Sequence, residues 1–332
     1  MLCAENNKES LGLLAQYALR RLWQMIPVLF LVSIAVFSII HLIPGNPAEI
    51  LAGPNATPEQ LATLKATMGL DQPLYRQYII WLTNILSGDL GESFINGYPV
   101  SKLILQRIPA TVELALAATV IGVLISFPLG ILAALRPRSI FDLVTTSLSA
   151  LSFAIPGFFL LVLLILVFSL HWRILPPSGR PDFFEEPALH MKSLILPALT
   201  LGIGVAAKLM RYLRSSLLEV LDQDYVRTAR SKGLRSNVVV VRHSVPNALI
   251  PVVTILGLQL GDLLSGAIII ETIYAWPGVG RLTIQAIEWR DYSILQANVL
   301  FIVIAFLLVN LLADLTYGWL DPRIRFENNQ AG

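Results

Sequence analysis

The residues of this chain able to do chemistry are few and stand far apart. A single cysteine, Cys3, excludes a disulfide framework and any cysteine-based metal cluster. His41, His171, His190 and His243 are scattered, and none lies four residues from another, the spacing at which two histidines on one helix face share a metal. Neither a phosphate-binding loop nor a dinucleotide fingerprint appears. An intramembrane hydrolase would need a nucleophile and a base within the apolar segments, and no histidine lies deep enough in one. The sequence therefore predicts no catalytic residue, no metal site and no cofactor. A net charge of +2 is too small to argue for nucleic acid.

What remains is a set of polar groups embedded in apolar sequence: Glu113, Gln259, Asp262, Asn310 and Asp314. Charged groups inside hydrocarbon are costly and usually face a bundle interior or water. They are candidates to line a pathway through a membrane. Pro156, in the middle of an apolar run, joins them because a helix kink there would shape a cavity wall. The same groups could equally serve helix–helix hydrogen bonds, or pair with Lys208, Arg211 or Arg214. Sequence spacing alone leaves both roles open.

The elements that would position these groups follow from composition. Of the residues, 55% are hydrophobic and 14% charged, whereas a soluble domain carries about a quarter charged. Too few polar side chains remain to cover a water-facing surface. Six apolar segments stand out, at about 22–43, 110–135, 143–170, 194–213, 249–271 and 294–319. Each is long enough to cross a hydrocarbon core, which takes about 20 helical residues. Each should be helical, since backbone polar groups in lipid must be satisfied within the segment. The fold class predicted is an all-α integral membrane protein with six transmembrane helices. The first segment follows Arg20-Arg21 and is too long for a signal core, with no small-residue cleavage site after it, so it reads as an uncleaved span.

Six spans put both termini on one side. With the long 43–108 loop left out, fifteen lysines and arginines fall on that side against five on the other, which predicts both termini in the cytoplasm. The resulting division is a cytoplasmic segment 1–21, a first span 22–43, an extracytoplasmic loop 44–109, a transmembrane core 110–320 and a cytoplasmic tail 321–332.

Two loops exceed simple connectors. In the outer one, Thr57-Pro58-Glu59-Gln60 reads as N-cap, first-turn proline and capping-box glutamine, opening a helix that stops at Gly69. A second helix is predicted from Pro73 to about Leu86, ended by Gly88, and the pair forms a small external cap where a partner docks or a passive lid. The cytoplasmic loop 214–248 is basic and helix-forming up to Lys232-Gly233, where glycine supplies a cap or a break. It resumes toward Pro246-Asn247-Ala248. A helix–glycine–helix unit has little reason to exist for membrane insertion alone; it reads as a docking element for a cytoplasmic partner.

At this loop the sequence resembles the permease subunits of ATP-binding-cassette importers. Their general signature is Glu-Ala-Ala, three residues, glycine, then proline thirteen positions later; Ala229, Gly233 and Pro246 keep that spacing. Arg227 and Thr228 replace the glutamate and first alanine, a departure that points to the peptide/nickel branch. The run Asp224-Tyr225-Val226-Arg227-Thr228-Ala229-Arg230-Ser231-Lys232-Gly233-Leu234 is similar to that branch, as are His243, Pro246-Asn247-Ala248 and Pro251. So are Arg20-Arg21, Ile43-Pro44-Gly45-Asn46-Pro47, Gly69-Leu70-Asp71-Gln72-Pro73-Leu74, Ala275-Trp276-Pro277-Gly278-Val279-Gly280-Arg281, Arg290-Asp291-Tyr292 and Asp321-Pro322-Arg323-Ile324-Arg325. The ordered series covers residues 17 to 326.

The resemblance implies the first-permease type of a dipeptide, oligopeptide, glutathione or nickel-chelate importer in a bacterial cytoplasmic (inner) membrane. It implies as partners a second homologous permease, two ATPase subunits and an extracytoplasmic binding protein. The fold implied is that of type I importer permeases. In this reading Asp224, Tyr225, Arg227, Thr228, Ala229, Arg230, Lys232, Gly233, Pro246 and Asn247 form the ATPase-coupling element. Tyr225 would be an aromatic anchor, Thr228 and Ala229 small contacts against the partner, the three cations partners for acidic groups. Trp276, Gly278, Gly280, Arg281 and Asp291 are placed on a short outer helix facing the binding protein or an outer gate, with the tryptophan at the membrane interface. An ion-coupled secondary transporter is the alternative from a different class; it predicts inverted repeats, and no convincing internal repeat is seen.

Overall fold

The computed structural model describes residues 2–42, 48, 52–53, 56–67 and 69–320. The predicted Pro44–Pro47 motif, the Asp321–Arg325 motif and the 321–332 tail lie outside the described residues. Among the described residues the chain is helical, with one isolated antiparallel bridge between Glu92 and Pro99.

The first span is part of a single helix, α1 (Leu2–Leu42). In the long loop after α1, α2 (Pro58–Thr67) opens on the predicted capping box. The Thr57 N–H donates to Gln60 Oε1 at 3.0 Å, and the Gln60 N–H to Thr57 Oγ1 at 3.3 Å. Helix α3 (Leu74–Leu86) follows Pro73, and Gly88 ends the turn after it at φ 87°. Then come α4 (Val100–Leu135), α5 (Ile140–Ala154) and α6 (Gly157–Leu164), the last continuing as a π-helical stretch to His171. Helix α7 (Pro187–Leu221) begins earlier and ends later than the apolar run inside it, because its polar flanks are good helix formers. The short helix α8 (Asp224–Ser231) leads through Ser236–Val238 and a π-turn at Val239–Ser244 into α9 (Val245–Ile273). The short α10 (Val279–Glu288) and the long α11 (Tyr292–Leu320) complete the order.

Five of these helices are long and apolar enough to cross a membrane, or six if the bent α5–α6 pair counts as one span. That pair corrects the expectation of a kinked third span. The two helices turn by 103° at Pro156. A proline disfavours helical geometry in the residue before it, and Ile155 is extended at φ −89°, ψ 120°. Pro156 (φ −60°, ψ 135°) then caps a new helix in a new direction.

The core is built on α4 and α7, which share the most extensive contact in the molecule. Small residues set their approach: a Cβ on Gly202 would lie 2.8 Å from Ile121 Cγ2 and 2.9 Å from the Ala118 carbonyl oxygen. Close backbones gain van der Waals contact where lipid offers no hydrophobic advantage. Near the C-terminal end of α7, Arg214 holds Asp142 of α5 in a two-pronged ion pair at 2.5 and 2.8 Å. Asp142, 5% exposed, also accepts from the Arg138 N–H. Asp142→Asn should therefore lower the thermal unfolding temperature of the solubilised protein, with a loss of about 2 kcal/mol for the charged bonds given up.

Candidate functional site

Helix α8 hangs below the bundle as an eight-residue lever between two reversals. The chain turns at Asp222–Gln223, runs to Ser231, and reverses at Gly233, whose φ of 78° is open to glycine at little cost. Two faces divide the lever. Val226 is fully buried and Ala229 nearly so, packed with Val239 against Val220 and Leu221. Asp224, Tyr225, Arg227, Thr228, Arg230 and Lys232 are exposed on the other side. Ala229 departs from the expected contact with a partner: it faces the chain's own bundle, because its neighbour at i−3 is the buried Val226. Asp224 and Arg227 pair loosely at 3.6 Å in solvent. Pro246 is exposed in the first turn of α9, and the Asn247 side chain donates to the His243 carbonyl at 2.7 Å, so these two shape the helix entry.

Four of the five polar groups predicted inside spans enter three pairings, and Asn310 enters none of them. Lys208 of α7 donates to Gln259 Oε1 at 2.7 Å and to Asp262 Oδ2 at 3.0 Å, both on α9. This cluster joins two helices yet stays open, with the Asp262 and Lys208 side chains 57% and 37% exposed. Asp314 pairs at 3.2 Å with Arg21 of α1 rather than with the expected cations of α7. Asn310, one turn from Asp314, has a buried Oδ1 without a hydrogen-bond donor and lies in the groove that Arg21, Leu258 and Asp314 also line. Glu113 of α4 is bonded to Arg180 at 2.7 Å and to His190. Pro156 is exposed at the break between α5 and α6.

The turn before α10 is a buried cradle centred on Glu271, a residue sequence reading missed. Its carboxylate, fully buried, accepts from Thr111 Oγ1 at 2.7 Å and from the Arg281 N–H at 3.0 Å, with the Gly280 N–H as a further donor. Gly278 and Gly280 lie so close that a Cβ on Gly280 would meet Ile268 Cα at 2.6 Å. A signal was present: an acidic residue closing an apolar run just before a Pro-Gly-x-Gly turn. Trp276 is fully buried, its indole N–H donating to the Ala110 carbonyl at 2.8 Å, instead of standing at the membrane interface. The Arg281 guanidinium reaches back to the Ala275 carbonyl at 2.7 Å. Asp291, also fully buried, accepts from Ser93 Oγ at 2.5 Å. Trp276 and Asp291 thus offer no surface to a binding protein; they lock this turn and the loop through Ser93 to the bundle. Beside them, burial pushes the Tyr274 phenol up to about 12, so it stays the donor to the Pro176 carbonyl.

Comparison with known proteins matches this architecture. The family described as "Binding-protein-dependent transport system inner membrane component" covers residues 126–326, and its N-terminal companion covers 14–115. The chain is 40% identical to the dipeptide transport system permease protein DppB of Escherichia coli (strain K12), over 93% of this chain and 98% of that one. It is likewise 40% identical to the glutathione transport system permease protein GsiC of Escherichia coli O6:H1, over 94% and 99%. In fold it resembles a subunit of the MetNI methionine ABC transporter, with TM-score 0.54 at 18% identity over 66% of this chain and 96% of that one. A crystal structure of an amino acid ABC transporter gives 0.51 at 19% identity, over 65% and 94%. The chain belongs to the binding-protein-dependent transport system inner membrane components, the permease subunits of ABC importers.

Proposed function

We propose that this permease forms, with a second homologous permease, the membrane pathway for small peptides, and that two ATPase subunits drive it through α8. The observation that carries this reading is the division of α8 into a fixed and a free face. Val226 and Ala229 anchor the helix to the bundle, while Tyr225, Thr228 and the cations Arg227, Arg230 and Lys232 point away from it. A helix held on one side and presenting an aromatic residue and three cations on the other suits a handle gripped by a partner. ATP-driven closure of the partner dimer would carry α8 as a rigid body and rock α7 and α9, between which it hangs, opening the pathway outward. Both termini lie in the cytoplasm in this reading, on the side of α8.

The Lys208–Gln259–Asp262 cluster is assigned to the pathway wall. Charges left open within membrane helices are tolerated against water or a protein partner, not against lipid. Peptides are the substrate class because the relatives' names specify dipeptide and glutathione, itself a small peptide. The test begins with a Cys3→Ser background carrying Tyr225→Cys. In the assembled importer, Tyr225→Cys should cross-link to the ATPase subunit, and ATP should change the yield. Reconstituted vesicles with the cognate binding protein should take up labelled dipeptide only with ATP. Cross-linking absent at Tyr225→Cys, or uptake that persists with the ATPase inactivated, overturns the reading.

A further inference from the structure

The Lys208–Gln259–Asp262 cluster leaves bonding capacity unused, and the kind of capacity specifies a ligand. An ammonium carries three donors. Lys208 gives one to Gln259 Oε1 at 2.7 Å and one to Asp262 Oδ2 at 3.0 Å, so a third is left over. Asp262 Oδ1 accepts no hydrogen bond among the described residues. Gln259, one turn before Asp262, is only 6% exposed. It fixes the ammonium in place while the two charges remain accessible. The next cation on α7, Arg211, is engaged elsewhere, its guanidinium 4.9 Å from the centre of the Phe153 ring. Beside the pair the helix surface is bare: a Cβ on Gly204, one turn before Lys208, would meet no described atom within 4 Å.

Charge then selects what fits. The pair is neutral as a whole, one cation and one carboxylate 3.0 Å apart. A ligand with a single charge is attracted by one member and repelled by the other. A ligand with both charges satisfies both. Charge-assisted hydrogen bonds of about 2.8 Å from each member place the two ligand charges roughly 3–8 Å apart. The ammonium and carboxylate of a dipeptide fall within that window, since two residues span at most about 7 Å.

We infer that Lys208 and Asp262 form a zwitterion-binding subsite for short peptides. Lys208 Nζ donates to the terminal carboxylate, Asp262 Oδ1 accepts from the terminal ammonium, and Gln259 is the positioning residue that aims the lysine. The inference rests on the assignment of this cluster to the pathway wall. It narrows the substrate class to ligands bearing both charges, with dipeptides favoured over ligands of one charge.

Uptake by the complete importer, reconstituted with its binding protein and ATP, tests it. Three labelled dipeptides are compared: one with neutral side chains, one containing glutamate and one containing lysine. Asp262→Asn leaves the pair net positive, and Lys208→Met leaves it net negative. Each variant should lower uptake of the neutral dipeptide by about tenfold, the factor carried by one charged hydrogen bond. The ratio of acidic to basic dipeptide uptake should rise in Asp262→Asn and fall in Lys208→Met. The binding protein is the same throughout, so its own preference cancels against the parent. A pair that only joined α7 to α9 would lower all three uptakes together. Ratios that keep the parent value, or that move in one direction in both variants, overturn the inference.

A second measurement leaves the pair untouched and so does not depend on how those variants fold. Gly204→Cys in a Cys3→Ser background should react with a water-soluble maleimide in the assembled importer, and saturating neutral dipeptide during ATP turnover should slow that reaction. Labelling equally fast with and without dipeptide overturns the subsite and leaves the pathway wall standing. A thiol closed to the reagent in every state overturns both, because another subunit then covers this face.

Discussion

An Arg230→Glu, Lys232→Glu double variant is expected to insert and assemble as a permease yet lose ATP-driven uptake by about tenfold or more, the size of effect that reversing charges at a complementary interface produces. Both side chains are exposed on the free face of α8 and make no ion pair among the described residues, so their reversal leaves the bundle intact. Expression level and thermal unfolding should match the parent protein, while the amount of ATPase subunit that co-purifies falls. Ala229→Leu supplies the contrast. Ala229 packs with Val226 and Val239 under the lever, so a larger side chain there should lower thermal stability by about 1–3 kcal/mol through overpacking. An equal loss of uptake from the double variant with undiminished ATPase association would refute the grip on this face.

Much of this architecture was legible because local chemistry decides it. The capping box at Thr57 and Gln60 forms as its spacing requires, and Gly88 and Gly233 stand in the left-handed conformation that their positions as stops demand. The apolar runs locate the long helices because lipid leaves the backbone no other way to satisfy its polar groups. What the sequence concealed depends on contacts between distant segments. A mid-run proline announces a disturbance without its size; the 103° turn follows from how α5 and α6 pack separately against α7. Asp314 finds Arg21 across nearly the whole chain length, a pairing no spacing rule predicts. Trp276 looks like an interfacial anchor by residue type, and only the Ala110 carbonyl explains why it is buried. Glu271 was hidden for the opposite reason: at the end of an aliphatic run it resembles a helix-terminal charge.

The cradle around Glu271 carries the largest stability effect expected. Glu271→Ala removes the acceptor for Thr111 Oγ1, the Arg281 N–H and the Gly280 N–H together, all enclosed at the end of α9. Each buried donor left without an acceptor costs about 1–3 kcal/mol, so a total of about 3–9 kcal/mol is expected for the three. Glu271→Gln should cost less, since one amide oxygen can still accept. Gly278→Ala reaches the same site from the other side: the added methyl would occupy the space of the carboxylate, and one of the two must move. The readout is thermal unfolding in lipid nanodiscs, followed by the fluorescence of Trp276, which the turn buries beside Ala110. A graded order, with Glu271→Ala and Gly278→Ala well below Glu271→Gln, is the expected result; unfolding temperatures unchanged in all three would contradict the cradle. Its stiffness also matters for the proposed transport cycle. Thr111 of α4, Glu271 of α9 and the turn into α10 form one block, so the rocking proposed for α7 and α9 would have to move this block whole.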